Sequence, residues 1–218
     1  MTPTSLHAIP PEVLWSAETL KINRWTATAA DDWPGRTVLT VLLQGCPWSC
    51  TSCDTPDLRD PLVPGAVSWR HVRDILVRSR SGLEGVVFSG GEPTRQDGLA
   101  DAMEQVRALG LPVGLHTSGS YPQRLAAVLS LADRVVLELK APATLYRAIT
   151  GVGASAHKAY ASLRLCLDAG VDLQVRTVVD PTVLTPDVVA GLRENLALMG
   201  VHDHVVLYPR GEGRTGTA

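Results

Sequence analysis

The chain has few lysines and no concentrated block of charge. Of its 20 basic residues only Lys21, Lys140 and Lys158 are lysines, and the arginines are scattered along the sequence. The net charge is −2. Because no basic cluster is present, the sequence predicts neither a nucleic-acid-binding surface nor a membrane-binding surface.

Long apolar runs are also absent. No stretch approaches the roughly 18 apolar residues that a membrane-spanning helix needs. Residues 1–15 lack the basic segment followed by an apolar run that marks a signal peptide. We therefore expect a cytoplasmic protein. Thiols stay reduced in that compartment, so closely spaced cysteines are expected to bind metal or to react rather than to form disulfides.

What the sequence does contain is a regular alternation of β-rich and amphipathic helical segments. Six apolar strands are expected near residues 36–44, 85–89, 111–117, 133–140, 171–180 and 203–209, and a helical pattern follows each of the first five. This order predicts an α/β fold with a parallel sheet and right-handed crossovers. Periodicity alone fits either a partial barrel or an open doubly wound sheet.

The same pattern suggests three parts. Residues 1–35 are expected to form an irregular N-terminal arm that contains a short lead-in strand near "LKINRW". Residues 36–210 would form the α/β domain, and residues 211–218 a flexible tail.

The unusual residues come directly after the predicted strands. The carboxyl ends of parallel strands meet at one edge of the sheet, where α/β proteins place their sites. We therefore expect six segments to converge there: the cysteine-rich segment, "SGGEP", "HTSGS", "ELKAP", "RTVVDP" and "YPRGEG".

Three of the four cysteines, Cys46, Cys50 and Cys53, lie within the segment "CPWSCTSC". Three cysteines cannot pair completely as disulfides, and zinc sites prefer two Cys-x2-Cys pairs. Cys166 lies between two leucines in a helical pattern and is expected to be an ordinary core residue. An iron–sulfur cluster fits the spacing better, and three ligands would leave one iron of a four-iron cluster open for chemistry.

The Cys-x3-Cys-x2-Cys spacing together with "GGEP" at residues 90–93 resembles the radical S-adenosylmethionine (SAM) superfamily. The resemblance implies a partial (βα)6 barrel. It also implies a [4Fe–4S] cluster held by Cys46, Cys50 and Cys53, with SAM bound at the open iron and cleaved reductively to a 5′-deoxyadenosyl radical. Gly90, Gly91, Glu92 and Pro93 would receive the methionine end of SAM, with Glu92 accepting hydrogen bonds from its ammonium group.

Further SAM contacts are implied at later strand ends. Lys140 would balance the carboxylate of SAM, and Arg176 would do the same or orient the substrate. Thr117, Ser118 and Glu138 would contact the ribose or the methionine.

Within the superfamily, the lead-in segment, "LKAP…YRAITG" and "VDLQVRTVV" resemble activases of glycyl-radical enzymes, especially the activating protein of anaerobic ribonucleotide reductase. The implied partners are such a glycyl-radical enzyme and a flavodoxin or ferredoxin that donates the electron.

Several residues depart from the activase pattern and keep other functions open. Asp54-Thr55 follows the third cysteine where many activases have His-Asn, and Ser52 stands where an aromatic residue is common. "CDT" resembles 7-carboxy-7-deazaguanine synthase, in which the threonine contributes to a magnesium site. A peptide-modifying radical SAM enzyme and, from another class, a zinc or electron-transfer module are the remaining alternatives.

Overall fold

The protein forms a single sheet of eight strands whose order in space is their order in the sequence. The computed structural model describes residues 16–27, 32–210 and 214–217. Most of the expected N-terminal arm, residues 1–15 and 28–31, lies outside the described residues. The strands are β1 (Ile22–Ala27), β2 (Val38–Leu43), β3 (Gly85–Gly90), β4 (Val113–Thr117), β5 (Arg134–Glu138), β6 (Asp172–Val178), β7 (His204–Arg210) and β8 (Arg214–Thr217).

Strands β2 to β7 are parallel, and the two edge strands β1 and β8 pair antiparallel with their neighbours. The connections carry the helices α1 (Trp69–Ser79), α2 (Leu99–Ala108), α3 (Pro122–Val128), α4 (Tyr146–Thr150), α5 (Ser155–Ala169) and α6 (Pro186–Leu198). The predicted α/β fold with six parallel strands is confirmed, and the sheet is not closed, as a partial barrel requires.

Local sequence explains where the helices begin and end. The hydroxyl groups of Ser68 and Thr185 accept hydrogen bonds from backbone N–H groups in the first turns of α1 and α6. Pro186 occupies the first turn of α6, where a missing N–H costs nothing. Gly170 ends α5 in the left-handed conformation. The same residues mark these boundaries in the sequence.

The structure differs from the sequence-based prediction at two places. Residues 214–217 were expected in a flexible tail, but they form β8 and pair with β7. Helix α4 was not predicted because its five residues are too few to show a helical period. The expected lead-in strand is β1, and it belongs to the same sheet as the six parallel strands.

The two faces of the sheet have different partners. Val86 and Phe88 in β3 belong to a large buried cluster that includes residues of α1, α2, α3, α5 and α6. Val87, which points to the opposite face, packs instead with Trp33 and Val38 in a small separate cluster. On the opposite face, the segment before β2 therefore covers the amino-terminal part of the strands. The carboxyl-terminal part of that face carries the residues at the strand ends. Across the described ranges, no helix combines the length and the apolar character needed to cross a bilayer.

Candidate active site

The cysteine-rich segment after β2 is fixed to its own continuation by backbone hydrogen bonds. The N–H of Gly45 donates to the carbonyl oxygen of Leu58 at 2.7 Å, and the N–H of Cys46 donates to that of Arg59 at 2.9 Å. Leu58 is fully buried. We call residues 45–59 the cluster loop, because it leaves the sheet and returns to its starting point around the three cysteines.

A second set of contacts ties the cluster loop to distant parts of the chain. The N–H groups of Ser49 and Thr51 donate to the carbonyl oxygens of Thr150 and Ile149, at 3.1 and 3.0 Å. The hydroxyl group of Thr51 donates to Asp180 Oδ2 at 2.5 Å. Helix α4 and the segment after β6 therefore hold the cluster loop from outside.

Trp48 lies within the cluster loop and packs against helix α4. It is 2% exposed, and its ring meets that of Tyr146 edge to face with a centroid distance of 5.8 Å. The hydroxyl group of Tyr146 accepts a hydrogen bond from the backbone N–H of Lys140 at 3.1 Å. The aromatic pair thus joins the cluster loop, α4 and the end of β5.

Cys46, Cys50 and Cys53 line one cavity at the carboxyl ends of the strands, and all are free thiols. Burial raises the pKa of Cys46 to about 12 and also raises that of Cys50 above its usual value. Both are therefore protonated at neutral pH without metal, and metal binding must displace their protons. Cys166 does not line this cavity and is fully buried in helix α5, as expected.

The three thiols share one cavity. Within the described ranges, no three His, Cys, Asp or Glu side chains are grouped closely enough to hold a single metal ion. A mononuclear zinc site needs its ligands around one centre at about 2.0 to 2.3 Å. Three thiols that share a cavity without such a centre fit a multi-iron cluster better.

The two glycines of "SGGEP" are required by the close packing of this segment on the cluster loop. Gly90 has φ +110°, and a side chain there would collide with the backbone of Leu43. A Cβ atom at Gly91 would lie 2.6 Å from the carbonyl oxygen of Gly45 and 2.7 Å from that of Leu58. Both glycines line the cavity, as expected, but protein backbone already excludes a side chain at each.

Glu92 does not present its carboxylate to the cavity. It is fully buried and accepts five hydrogen bonds, from the N–H and hydroxyl of Thr94, the hydroxyl of Thr117, and the N–H and hydroxyl of Ser118. A carboxylate offers about four lone-pair sites. Protein donors thus bond to both oxygens in this structure, and the expected bond from Glu92 to the ammonium of SAM stays a prediction. Pro93 is also buried, in the first turn of the short 3-10 helix that follows Glu92.

Thr117 and Ser118 line the cavity as expected, and their hydroxyl groups donate to Glu92. The Thr117 oxygen also accepts a hydrogen bond from the N–H of Gly119 at 3.0 Å, so each hydroxyl keeps at least one lone pair for a further donor. Glu92 thus holds the segment after β4 against the segment after β3. This fixes both backbones at the wall of the cavity.

Glu138 and Lys140 form an ion pair at the end of β5 and line the same cavity. Burial acts to lower the pKa of Lys140, but the carboxylate of Glu138 outweighs it and holds the pKa above its usual value. Burial acts to raise the pKa of Glu138, yet the ammonium group keeps it below its usual value. The lysine is therefore charged, with a carboxylate partner inside the protein.

Arg176 lies in β6 directly beside Glu138 in the sheet register. Its Nε donates to Gln174 Oε1 at 2.7 Å. It stands one strand beyond the residues that line the cavity. Its expected contact with SAM or substrate therefore stays a prediction.

Three other residues of the cavity were not predicted from the sequence. Ser89 and His116 face the cavity, and Arg59 borders it from the cluster loop. His116 Nε2 lies 3.0 Å from the carbonyl oxygen of Asp32, so Nε2 carries the proton and donates. Period-two alternation in β3 and β4 places Ser89 and His116 on the open face and could have identified them. The position of Arg59 depends on the path of the loop, which no pattern in the sequence shows.

Comparison with known proteins agrees with this arrangement. A family model described as the radical SAM superfamily matches residues 40–192. The chain belongs to the radical SAM superfamily. Its cofactors are a [4Fe–4S] cluster and SAM. The three thiols and the glycine-lined wall at the strand ends fit these groups.

Two curated relatives are similar to part of the chain. The 7-carboxy-7-deazaguanine synthase of Rhodopirellula baltica is 27% identical over 176 residues, which cover 77% of this chain and 63% of the relative. The probable GTP 3′,8-cyclase of Thermococcus kodakarensis is 29% identical over 118 residues, or 51% of this chain and 37% of the relative. The chain thus spans less than two thirds of the length of these relatives.

Among solved structures, QueE from Escherichia coli matches 92% of this chain and 99% of its own, with a TM-score of 0.54 and 15% identity. At that identity the likeness shows the fold alone. These relatives are not named as glycyl-radical activases.

Proposed function

We propose that this radical SAM enzyme acts on a small heterocyclic substrate in the manner of a 7-carboxy-7-deazaguanine synthase. The observation that carries the proposal is the position of Asp54 and Thr55, which follow Cys53 directly and line the cavity beside the cysteines. The relative that covers 77% of the chain is named for this activity. Residues 54 and 55 are also where the chain departs from the activase pattern.

The chain's own residues divide the work of the site. The thiolates of Cys46, Cys50 and Cys53 would hold the cluster. When bound, the cluster would supply the reductive cleavage of SAM. Gly90 and Gly91 would offer cavity-facing backbone to the methionine end of SAM. The cluster loop, fixed by α4 and Asp180, would keep the cysteines in place.

Thr117 and Ser118 would accept hydrogen bonds from SAM through oxygens whose hydrogens point to Glu92. Lys140 would donate a hydrogen bond to the same ligand while its charge stays balanced by Glu138.

A magnesium ion would bind at Asp54 and Thr55. Mg²⁺ prefers oxygen ligands and commonly uses one or two protein carboxylates together with water and substrate. The carboxylate of Asp54 lies near that of Glu138, so a cation beside Asp54 would offset the repulsion between the two. An external flavodoxin or ferredoxin would supply the electron.

The test is anaerobic turnover of the reconstituted, reduced protein with SAM, Mg²⁺ and a carboxylated reduced pterin. We expect 7-carboxy-7-deazaguanine by mass spectrometry, loss of product when Mg²⁺ is chelated, and no product from Cys50→Ser. Cys166→Ser is the matched control and should retain the activity. Formation of 5′-deoxyadenosine without the deazaguanine would refute the proposal. Activation of a glycyl-radical enzyme, tested by the appearance of a glycyl-radical signal, is then the remaining prediction.

A further inference from the structure

The cavity contains an arginine whose charge is not balanced by any described carboxylate. Four charged side chains line it, namely Asp54, Arg59, Glu138 and Lys140. Glu138 and Lys140 pair with each other. Within the described ranges, neither Asp54 nor Arg59 has an oppositely charged group within 4.0 Å.

The backbone of Arg59, at the end of the cluster loop, is hydrogen-bonded to the start of that loop. Its carbonyl oxygen accepts the hydrogen bond from the N–H of Cys46, and the preceding Leu58 is fully buried. Its Nε lies 3.4 Å from the carbonyl oxygen of Pro56, which leaves the two terminal nitrogens for a ligand. The side chain is half-buried. A partly desolvated guanidinium held in one place is a good receptor for an anion.

We propose that Arg59 binds the carboxylate of the substrate at the mouth of the cavity. A carboxylate matches the paired donors of the guanidinium, and the product named for the proposed function carries one at its 7 position. With Mg²⁺ at Asp54 and with Glu138 paired to Lys140, the guanidinium of Arg59 is the charge on the cavity wall that is left to receive this carboxylate. This inference rests on the proposed function.

SAM also has a carboxylate, so the test must separate the two sources. The holoenzyme with SAM is titrated by equilibrium dialysis with 7-carboxy-7-deazaguanine and with 7-deazaguanine, which lacks the carboxylate. The wild type should bind the carboxylated ligand 10- to 100-fold more tightly, the range expected for a charge-assisted contact. Arg59→Gln should lose this preference, and Arg59→Lys should retain part of it. Arg70→Gln, on the exposed side of α1, should bind as the wild type does.

Each alternative result has a separate meaning. If the wild type binds both ligands equally, Arg59 does not recognise the substrate carboxylate, although the proposed function survives. If Arg59→Gln loses affinity for SAM but keeps the preference between the two ligands, the carboxylate at Arg59 belongs to SAM and the proposal is overturned. If the wild type binds neither ligand, the proposed function and the role of Arg59 fall together.

Discussion

Phe88 and Ser89 are neighbours in β3 and face two different environments. Phe88 is fully buried among helix residues and stacks at a tilt against Trp69, with 6.0 Å between ring centroids. Ser89 points to the opposite face and lines the cavity. One side of the sheet is a close-packed core, and the other side carries polar groups held by hydrogen bonds. Stability and recognition are thus assigned to alternate residues of the same strands.

The largest expected effect is on the helix-packed face. Phe88→Ala should lower the free energy of unfolding by about 3–5 kcal/mol, because it leaves a cavity in a core that cannot close around it. Ser89→Ala should change it by less than about 0.5 kcal/mol. Urea unfolding of both variants checks the contrast. Equal losses would mean that the cavity side is packed as tightly as the core.

Much of this contrast could be predicted from the sequence. The apolar alternation in β3, β4 and β5 gives the strands, and the parallel order brings their carboxyl ends together. The site was harder to predict, because hydrogen-bond partners depend on which loops meet. Glu92 follows two glycines at a strand end and resembles a ligand-binding residue in sequence. Only the folded chain shows five donors around it.

The second effect is a pH dependence from the cavity face. Burial lowers the pKa of His116 to about 4, and the Arg176 cation adds to this while Asp32 opposes it. The unfolded chain takes up this proton near pH 6.5, so stability should fall as the pH drops from 6.5 towards 4. The loss is at most roughly 3 kcal/mol.

His116→Gln should remove most of that slope, as measured by urea midpoints between pH 6.5 and 4.5. The exposed His71 on α1 provides the control, because His71→Gln should keep the wild-type slope. A wild-type slope in His116→Gln would assign the effect to other groups.

A third, smaller effect is expected at Glu92. In Glu92→Gln an amide NH2 replaces one carboxylate oxygen and faces donors that then lose their acceptor. The cost should be about 1–3 kcal/mol in the free energy of unfolding. Glu104→Gln, at an exposed position of α2, should be neutral. If both variants are neutral, the buried carboxylate is not needed to hold the segments after β3 and β4 together.

The smallest expected effect concerns the hydrogen bond from Thr51 in the cluster loop to Asp180 in the segment after β6. Hydrogen bonds from Thr182 and Thr51 hold the pKa of Asp180 below its usual value, so this carboxylate is an effective acceptor for both. Thr51→Val removes one of these donors and should cost about 1 kcal/mol, since Asp180 keeps its bonds from Thr182. Thr26→Val, at an exposed position of β1, should cost less.

A double-mutant cycle with Asp180→Ala, which removes the acceptor, separates the contact from local effects. The coupling energy should account for most of the cost of Thr51→Val if the hydrogen bond joins the two segments. Thr51→Val should also lose iron faster under chelation, because Thr51 lies between Cys50 and Cys53. Additive effects with unchanged iron loss would mean that the backbone bonds to α4 are sufficient to hold the loop. The cluster loop would then be held by α4 alone rather than by both α4 and Asp180.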